Sequence, residues 1–193
     1  MSRSISRFLL LAAALVLVAA CGGPAWREVS TPDGGFRILM RGDPRVEKRD
    51  LDTPVGKITG NWYATELQES VFGVGYSDYP AQVLGSMAPR RMFMTVRESW
   101  VKRIDGRLQG DGTDIKLDKA HPGMEFIARG QLQGHDVYLR GRLYLVGNRL
   151  YQVIVFGRKD TLPPSDVNKF LASFALVPQR ELATIRIDPA KGE

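Results

Sequence analysis

The residues of this 193-residue chain whose types could do chemistry are two histidines, one cysteine and a cluster of arginines and tyrosines. A hydrolytic site needs a nucleophile, a base within hydrogen-bond reach and a group that orients the base. His121 precedes Pro122-Gly123 at a strand-to-strand corner with Asp118 nearby, and His135 follows Gly134 in a loop beside Asp136. Either could serve as the base of a hydrolase, yet turn histidines without a role are far commoner, so no catalytic residue is assigned. Metal binding has less support: a strand separates His121 from His135, there is no second cysteine, and no Asp/Asn loop has calcium spacing. Neither a metal nor another cofactor is expected. The pairs Asp50/Asp52 and Asp111/Asp114 read as solvated loop acids, and Gly110-Asp111-Gly112 lacks the strand-to-helix context of a phosphate-cradling loop.

The arginines and tyrosines fall in RGRLYLVGNRLYQVIVFGR, Arg140 to Arg158. Gly147-Asn148 between two alternating runs is a two-residue hairpin signal, and a type I′ turn there needs positive φ at both positions. Counting outward pairs Val146 with Arg149, Leu145 with Leu150 and Tyr144 with Tyr151. Leu139, Leu143, Leu145, Leu150, Ile154 and Phe156 then share an apolar face, while Arg140, Arg142, Tyr144, Arg149, Tyr151 and Val153 share the other. Guanidinium forks grip carboxylate or phosphate at two points and tyrosines add flat contact area. Arg140, Arg142, Tyr144, Arg149 and Tyr151 are therefore the candidate partner-binding residues. The face also has an ordinary explanation, in which arginine stems lie on tyrosines and the heads reach water or acids of a covering helix.

The elements that must position this stripe follow from periodicity. Strands are expected at Phe36–Met40, Lys57–Glu66 and Val71–Tyr76, each β-branched or aromatic and bounded by Gly, Pro or Asp. Asp33-Gly34-Gly35 and Thr53-Pro54-Val55-Gly56 fit hairpin turns. Between Ser86 and Ile104 the period becomes helical, with Phe93, Val96, Trp100 and Ile104 on one side. Ser86 is the expected N-cap and Gly106 the C-terminal glycine, although Pro89 favours a start a few residues later. Met87, Met92 and Met94 nearby read as core fillers. After Pro163-Pro164, Ser165 can cap a short helix with Val167, Phe170, Leu171 and Phe174 on its stripe, and Ala175–Val177 can close the sheet. The polar tail from Pro178 carries one alternating piece, Ala183–Ile187.

At the other end, MSRSISR is followed by an unbroken apolar run from Phe8 to Ala20 that closes on Cys21. A helix needs about 20 apolar residues to span a bilayer, so the run is a signal h-region. Val18-Ala19-Ala20-Cys21 resembles the bacterial lipobox, whose cysteine thiol receives a diacylglycerol before cleavage on its amino side; Val18 stands where Leu is usual. Two or more acyl chains hold a protein on a membrane where one does not. Gly22 in place of Asp favours outer-membrane sorting, with the body facing the periplasm. Cys21 being spent on lipid, no disulfide holds the domain, and one domain's worth of chain has core enough to stand without it. The net charge of +6 falls when Arg3 and Arg7 leave with the signal. A mildly basic body outside the cytoplasm suits an acidic protein, headgroup or wall polymer rather than nucleic acid.

Taken in order, FRILMRGDPRVE, TPVGKITGNWY, VFGVGYSDYP, the central helix, KAHPGMEF, RLYLVGNRLYQVIVFG and KFLASFAL resemble the bacterial branch of the PsbP-like superfamily. That superfamily includes an extrinsic photosystem II protein, a Ran-binding nuclear import factor and periplasmic lipoproteins of the DcrB type. The resemblance covers Phe36 to Val177. It implies an α/β/α sandwich, with a central, mainly antiparallel sheet flanked by a long helix and a short C-terminal helix. It implies no common chemistry, and fold alone does not carry function. The expected organisation is a lipoprotein signal at 1–20, a lipidated tether at 21–27, a PsbP-like domain at 28–177 and a polar extension at 178–193. The expected function is a lipid-anchored, non-catalytic binding or assembly module for an envelope protein partner. The alternatives are an envelope hydrolase using His121 or His135 and a lipoprotein bound to cell-wall polymer.

Overall fold

The structure is a computed structural model and describes residues 23–53 and 56–177. The signal at 1–20, Cys21, Pro54-Val55 of the Thr53-Pro54-Val55-Gly56 turn and the 178–193 extension with Ala183–Ile187 lie outside the described residues. The chain opens with β1 (Trp26–Thr31), β2 (Phe36–Arg41), β3 (Arg45–Thr53), β4 (Gly56–Leu67) and β5 (Ser70–Asp78). Two helices follow, α1 (Ala81–Ser86) and α2 (Pro89–Arg103). Next come β6 (Arg107–Leu108), β7 (Thr113–Leu117), β8 (His121–Leu132), β9 (His135–Val146) and β10 (Arg149–Arg158). A single 3-10 turn (Lys159–Thr161), α3 (Pro164–Ala172) and β11 (Ala175–Leu176) close the described part. Trp26 and Arg27, expected in the tether, are the first two residues of β1.

The class is α+β with antiparallel sheets, and strands dominate it. Eight strands form one sheet in the order β3-β4-β5-β10-β9-β8-β6, with β7 also on the free side of β8; β1, β2 and β11 form a second, three-stranded sheet. The β9–β10 hairpin has the register that alternation requires: Val146 faces Arg149, Leu145 faces Leu150 and Tyr144 faces Tyr151. Its turn differs from the expected type I′. Gly147 has φ +59° but Asn148 is not in the positive region, which is the type II′ pattern with glycine first.

Two cores lie on opposite faces of the large sheet. On one, Met92, Phe93 and Ile104 pack against Met124, Phe126, Leu139, Leu143, Leu150 and Ile154. On the other, Phe36, Ile38 and Met40 of β2 and Val167, Phe170 and Leu171 of α3 pack against Phe72, Val74, Tyr144, Tyr151, Val153 and Val155. Complete burial of such a side chain is worth about 1.5–3 kcal/mol. The second face is thus covered by a small sheet and a nine-residue helix, rather than by helix alone as a plain α/β/α sandwich would have it.

Helix ends also depart from expectation. α2 starts at Pro89 with Ala88 as its N-cap and no side-chain cap, because proline at the first helical position needs no donor satisfied. Ser86 ends α1 instead, donating from its hydroxyl to the Val83 carbonyl at 3.0 Å. Asp105, at φ +42°, takes the left-handed position assigned to Gly106. Pro163 is the N-cap of α3, again without a side-chain cap, and Ser165 lies inside the first turn.

Candidate functional site

The arginine–tyrosine stripe sits beneath α3 and the small sheet. Arg140 donates from Nε and Nη2 to Glu125 Oε1 at 2.9 and 2.6 Å, and from Nη1 to Asn168 Oδ1 of α3 at 2.6 Å. Arg142 donates from Nε to Glu125 Oε2 at 2.6 Å and from Nη1 to the Leu171 carbonyl at 3.0 Å. Glu125, on neighbouring β8, therefore neutralises one guanidinium and shares its charge with a second. Burial pushes its carboxyl up, but the hydrogen bonds and charges of Arg140 and Arg142 outweigh that and leave it below the usual carboxylate value.

Arg149 makes a two-pronged pair with Asp78, Nε to Oδ1 at 2.7 Å and Nη2 to Oδ2 at 2.8 Å. Its Nη1 reaches the carbonyls of Asp33 and Gly34 at 2.7 and 3.0 Å, and its guanidinium lies over Tyr76 at 4.5 Å. Tyr151 donates to the same Gly34 carbonyl at 2.8 Å. Asp33-Gly34-Gly35, legible as a turn, is thereby clamped from below. Tyr144 and Tyr151 are 4% and 3% exposed, and burial raises both phenols above their usual value. The five candidate partner-binding residues form a packed seam between two layers. Acids and carbonyls of the protein itself occupy their forks; the acids, Glu125 and Asp78, lie on strands of the same sheet rather than on a covering helix, which supplies Asn168 and the Leu171 carbonyl.

The histidines do not share a site. His121 begins β8, and His135 pairs with Leu132 at the far end of that strand, roughly 35 Å away at about 3.3 Å per residue. Among the described residues neither has a hydrogen bond to a hydroxyl or a carboxylate. Asp111 contributes its carbonyl to the buried Arg97 guanidinium, and Asp114 pairs with Arg90. Asp50 accepts from Thr59 at 2.9 Å.

The residues that sequence reasoning missed lie on the opposite face. α2 packs chiefly on β8 and β9, and the β4–β5–β10 half of the same face forms the floor of a groove of about 870 Å³ that Tyr79, Val83 of α1 and Met87 also line. Pleat alternation puts Trp62 and Ala64 of β4, Gly73 of β5, and Gln152, Ile154 and Phe156 of β10 on that floor. Met92, Val96 and Trp100 form the helix wall; Arg45, Glu47 and Arg49 form the β3 wall. Trp62 and Trp100 meet edge to face at 5.5 Å, and Trp100 approaches Phe156 at 6.3 Å. Gly75 lies under Trp62: an ideal Cβ there would come within 2.6 Å of the indole. Absence of a side chain at Gly75 lets the ring lie flat on the sheet.

Charged and polar residues line the groove beside this apolar floor, among them Arg45, Glu47, Arg49, Glu66, Arg103 and Gln152. Trp100 Nε1 donates to Gln152 Oε1 at 2.8 Å; the Gln152 side-chain nitrogen has no protein partner among the described residues. Glu47 is shared by Arg45 at 3.1 Å and Arg49 at 2.6 Å, leaving one excess positive charge. Arg103 stacks over Trp100 at 5.1 Å and has no carboxylate partner among the described residues. A signal for the groove existed in VFGVGYSD, where Gly73 and Gly75 recur on one face of an otherwise apolar strand and so mark a thin place in that layer.

Neither a family model nor a curated protein matches the sequence. Among solved structures, the chain is similar to the solution structure of cyanobacterial PsbP (CyanoP) from Synechocystis sp. PCC 6803. The TM-score is 0.52 at 13% identity, over 84% of this chain and 99% of that one. A protein of unknown function from Pseudomonas aeruginosa, PA94, aligns at a TM-score of 0.34 and 12% identity over 89% of this chain and 100% of that one, an overlap too loose to carry argument. The fold is PsbP-like. At 13% identity that likeness extends to architecture and not to activity.

Proposed function

We propose that this chain is a lipid-anchored, non-catalytic binding module of the cell envelope, similar to DcrB-type lipoproteins, whose working surface is the groove beside α2. The observation that carries this reading is the groove itself: about 870 Å³, with Trp62 and Phe156 on its floor, Trp100 and Met92 on its helix wall, and charged residues of β3 and Arg103 beside them. Binding sites are typically concave and mostly apolar, with a small number of placed polar groups. The stripe of Arg140, Arg142, Tyr144, Arg149 and Tyr151 supports the layers, so a partner is met on the other face. The separation of His121 from His135, and their lack of hydroxyl or carboxylate partners among the described residues, favour binding over hydrolysis. The apolar run ending at Cys21 supports membrane attachment through lipid, with the outer membrane's periplasmic side as the location. Among the described residues no helix is long and apolar enough to cross a membrane.

The test is a photo-cross-linking amino acid at Thr95, an exposed groove position, in the membrane-anchored protein in its own cells. The same group at Asp136, on the β8–β9 tip, is the comparison. A discrete adduct from Thr95 that is missing from Asp136 and lost in Cys21→Ser supports an anchored module working through the groove. Equal labelling from both positions, or none from Thr95, would sink it.

A further inference from the structure

Resting on the reading that the groove is the working surface, we infer that its ligand is a single long acyl chain bearing one carboxylate, a free fatty acid. Size is the first argument: about 870 Å³ falls within the roughly 300–1,000 Å³ of small-molecule sites. Composition is the second, because Trp62, Ile154, Phe156, Met92 and Val96 supply an apolar floor and wall that an unbranched chain can follow, methionine adapting to its contour.

Charge decides the head group. Arg103, fixed over Trp100, is a guanidinium without an acid among the described residues, and the Arg45-Glu47-Arg49 triad adds one further excess charge. The opposing acids are Glu66, which lines the groove without an ion pair among the described residues, and Asp43, engaged by Arg27 at 3.4 Å. Arg41 is already held by Asp166 at 2.7 Å. The surplus suits one negative charge, not two, and repels a cationic amphiphile. Gln152 adds a buried amide, 7% exposed, that lines the same groove and whose nitrogen has no protein partner among the described residues.

The experiment is a titration of the purified mature chain with monomeric palmitate, read by tryptophan emission, since Trp62 and Trp100 line the groove. Matched arms use hexadecyltrimethylammonium, the same chain with a cationic head, and 1-palmitoyl lysophosphatidylglycerol. The variants are Gly73→Leu and Arg103→Glu, with circular dichroism to confirm folding. Gly73 has only ordinary contacts around an added Cβ, the nearest at 3.8 Å, so a leucine there fits the backbone and fills the groove. Expected are saturable one-to-one binding of palmitate, a loss of about tenfold or more in Gly73→Leu, and about fivefold weakening in Arg103→Glu that spares the cationic chain. Absent or non-saturable palmitate binding, equal binding of the cationic chain, or indifference to Gly73→Leu would overturn the inference. Tighter binding of the lysophospholipid would also overturn it, by moving the ligand to a phosphate head. A protein adduct at Thr95 without palmitate binding would leave the groove as working surface and remove the fatty acid alone.

Discussion

Tyr144 and Phe174 lie almost parallel, their ring centroids 5.5 Å apart and their planes 7° from each other. The tyrosine belongs to the stripe on the large sheet and the phenylalanine follows α3, so the contact joins two layers. Phe174 also meets Phe36 at 5.8 Å and Tyr151 at 5.3 Å, which makes it the ring on which both sheets and the helix converge. Phe174→Ala should therefore cost about 3–5 kcal/mol, read as a fall in urea midpoint, whereas Phe174→Leu should cost less than half of that. A loss below about 1 kcal/mol for the alanine variant would mean that the layers close over the gap without strain.

Charge reversal at the stripe tests its role as internal support. Arg142→Glu places a second carboxylate against Glu125 and removes a donor from the Leu171 carbonyl. The pair is largely but not wholly shielded, and a cost of about 2–4 kcal/mol follows. Arg140→Glu should cost a similar amount, since it removes two donors from Glu125 and one from Asn168 while Arg142 still neutralises the carboxylate. Unchanged stability in both variants would free the stripe for an outside partner.

Acid sensitivity follows from the same cluster. Glu125 has its folded value below the ordinary 4.5, so the unfolded chain takes up a proton before the folded one does. The stabilisation is fully present above about pH 5 and is lost as pH falls through the lowered folded value. Glu125→Gln should be less stable at pH 7, and its urea midpoint should vary less between about pH 5 and pH 3 than that of the natural protein. Parallel curves for the two proteins across that window would show that Glu125 contributes nothing to the acid limb.

The legible and illegible parts divide on physical grounds. Register in the β9–β10 hairpin was legible because a two-residue turn and a period of two leave one solution, and Leu139, Leu143, Leu150 and Ile154 went to the core as alternation requires. The partners of the stripe were not: Asp78 is 71 residues from Arg149, and Asn168 is 28 from Arg140, and no local pattern carries such distances. β3 escaped notice because RVEKRDLDT has no apolar alternation; its ladder to β4 is a backbone pairing, and its charges suit a free edge. Helix caps misled for a related reason, since proline at the first helical position replaced the side-chain caps that Ser86 and Ser165 suggested. The groove lies between α2 and the β4–β5–β10 half of the sheet, and a stripe of Phe93, Val96, Trp100 and Ile104 does not reveal which of its residues meet the sheet and which line an opening.

The floor of the groove gives the sharpest pair of substitutions. At Gly75 an added Cβ would sit 2.6 Å from the Trp62 indole, whereas at Gly73, two residues away on the same strand and the same face, the nearest atom would be 3.8 Å distant. Both positions gain equally from the reduced chain entropy of alanine in the unfolded state, so the difference between them isolates the fit of the ring. Gly75→Ala should cost about 1–3 kcal/mol, the usual penalty for overpacking, and should shift the emission of Trp62 by tilting it toward Trp100. Gly73→Ala should be neutral or stabilising by up to about 1 kcal/mol, with the emission unchanged. Should the two variants prove equally stable, the flat seat of Trp62 against β5 is not what holds the groove in shape, and the contact of Trp100 with Gln152 would have to do so alone.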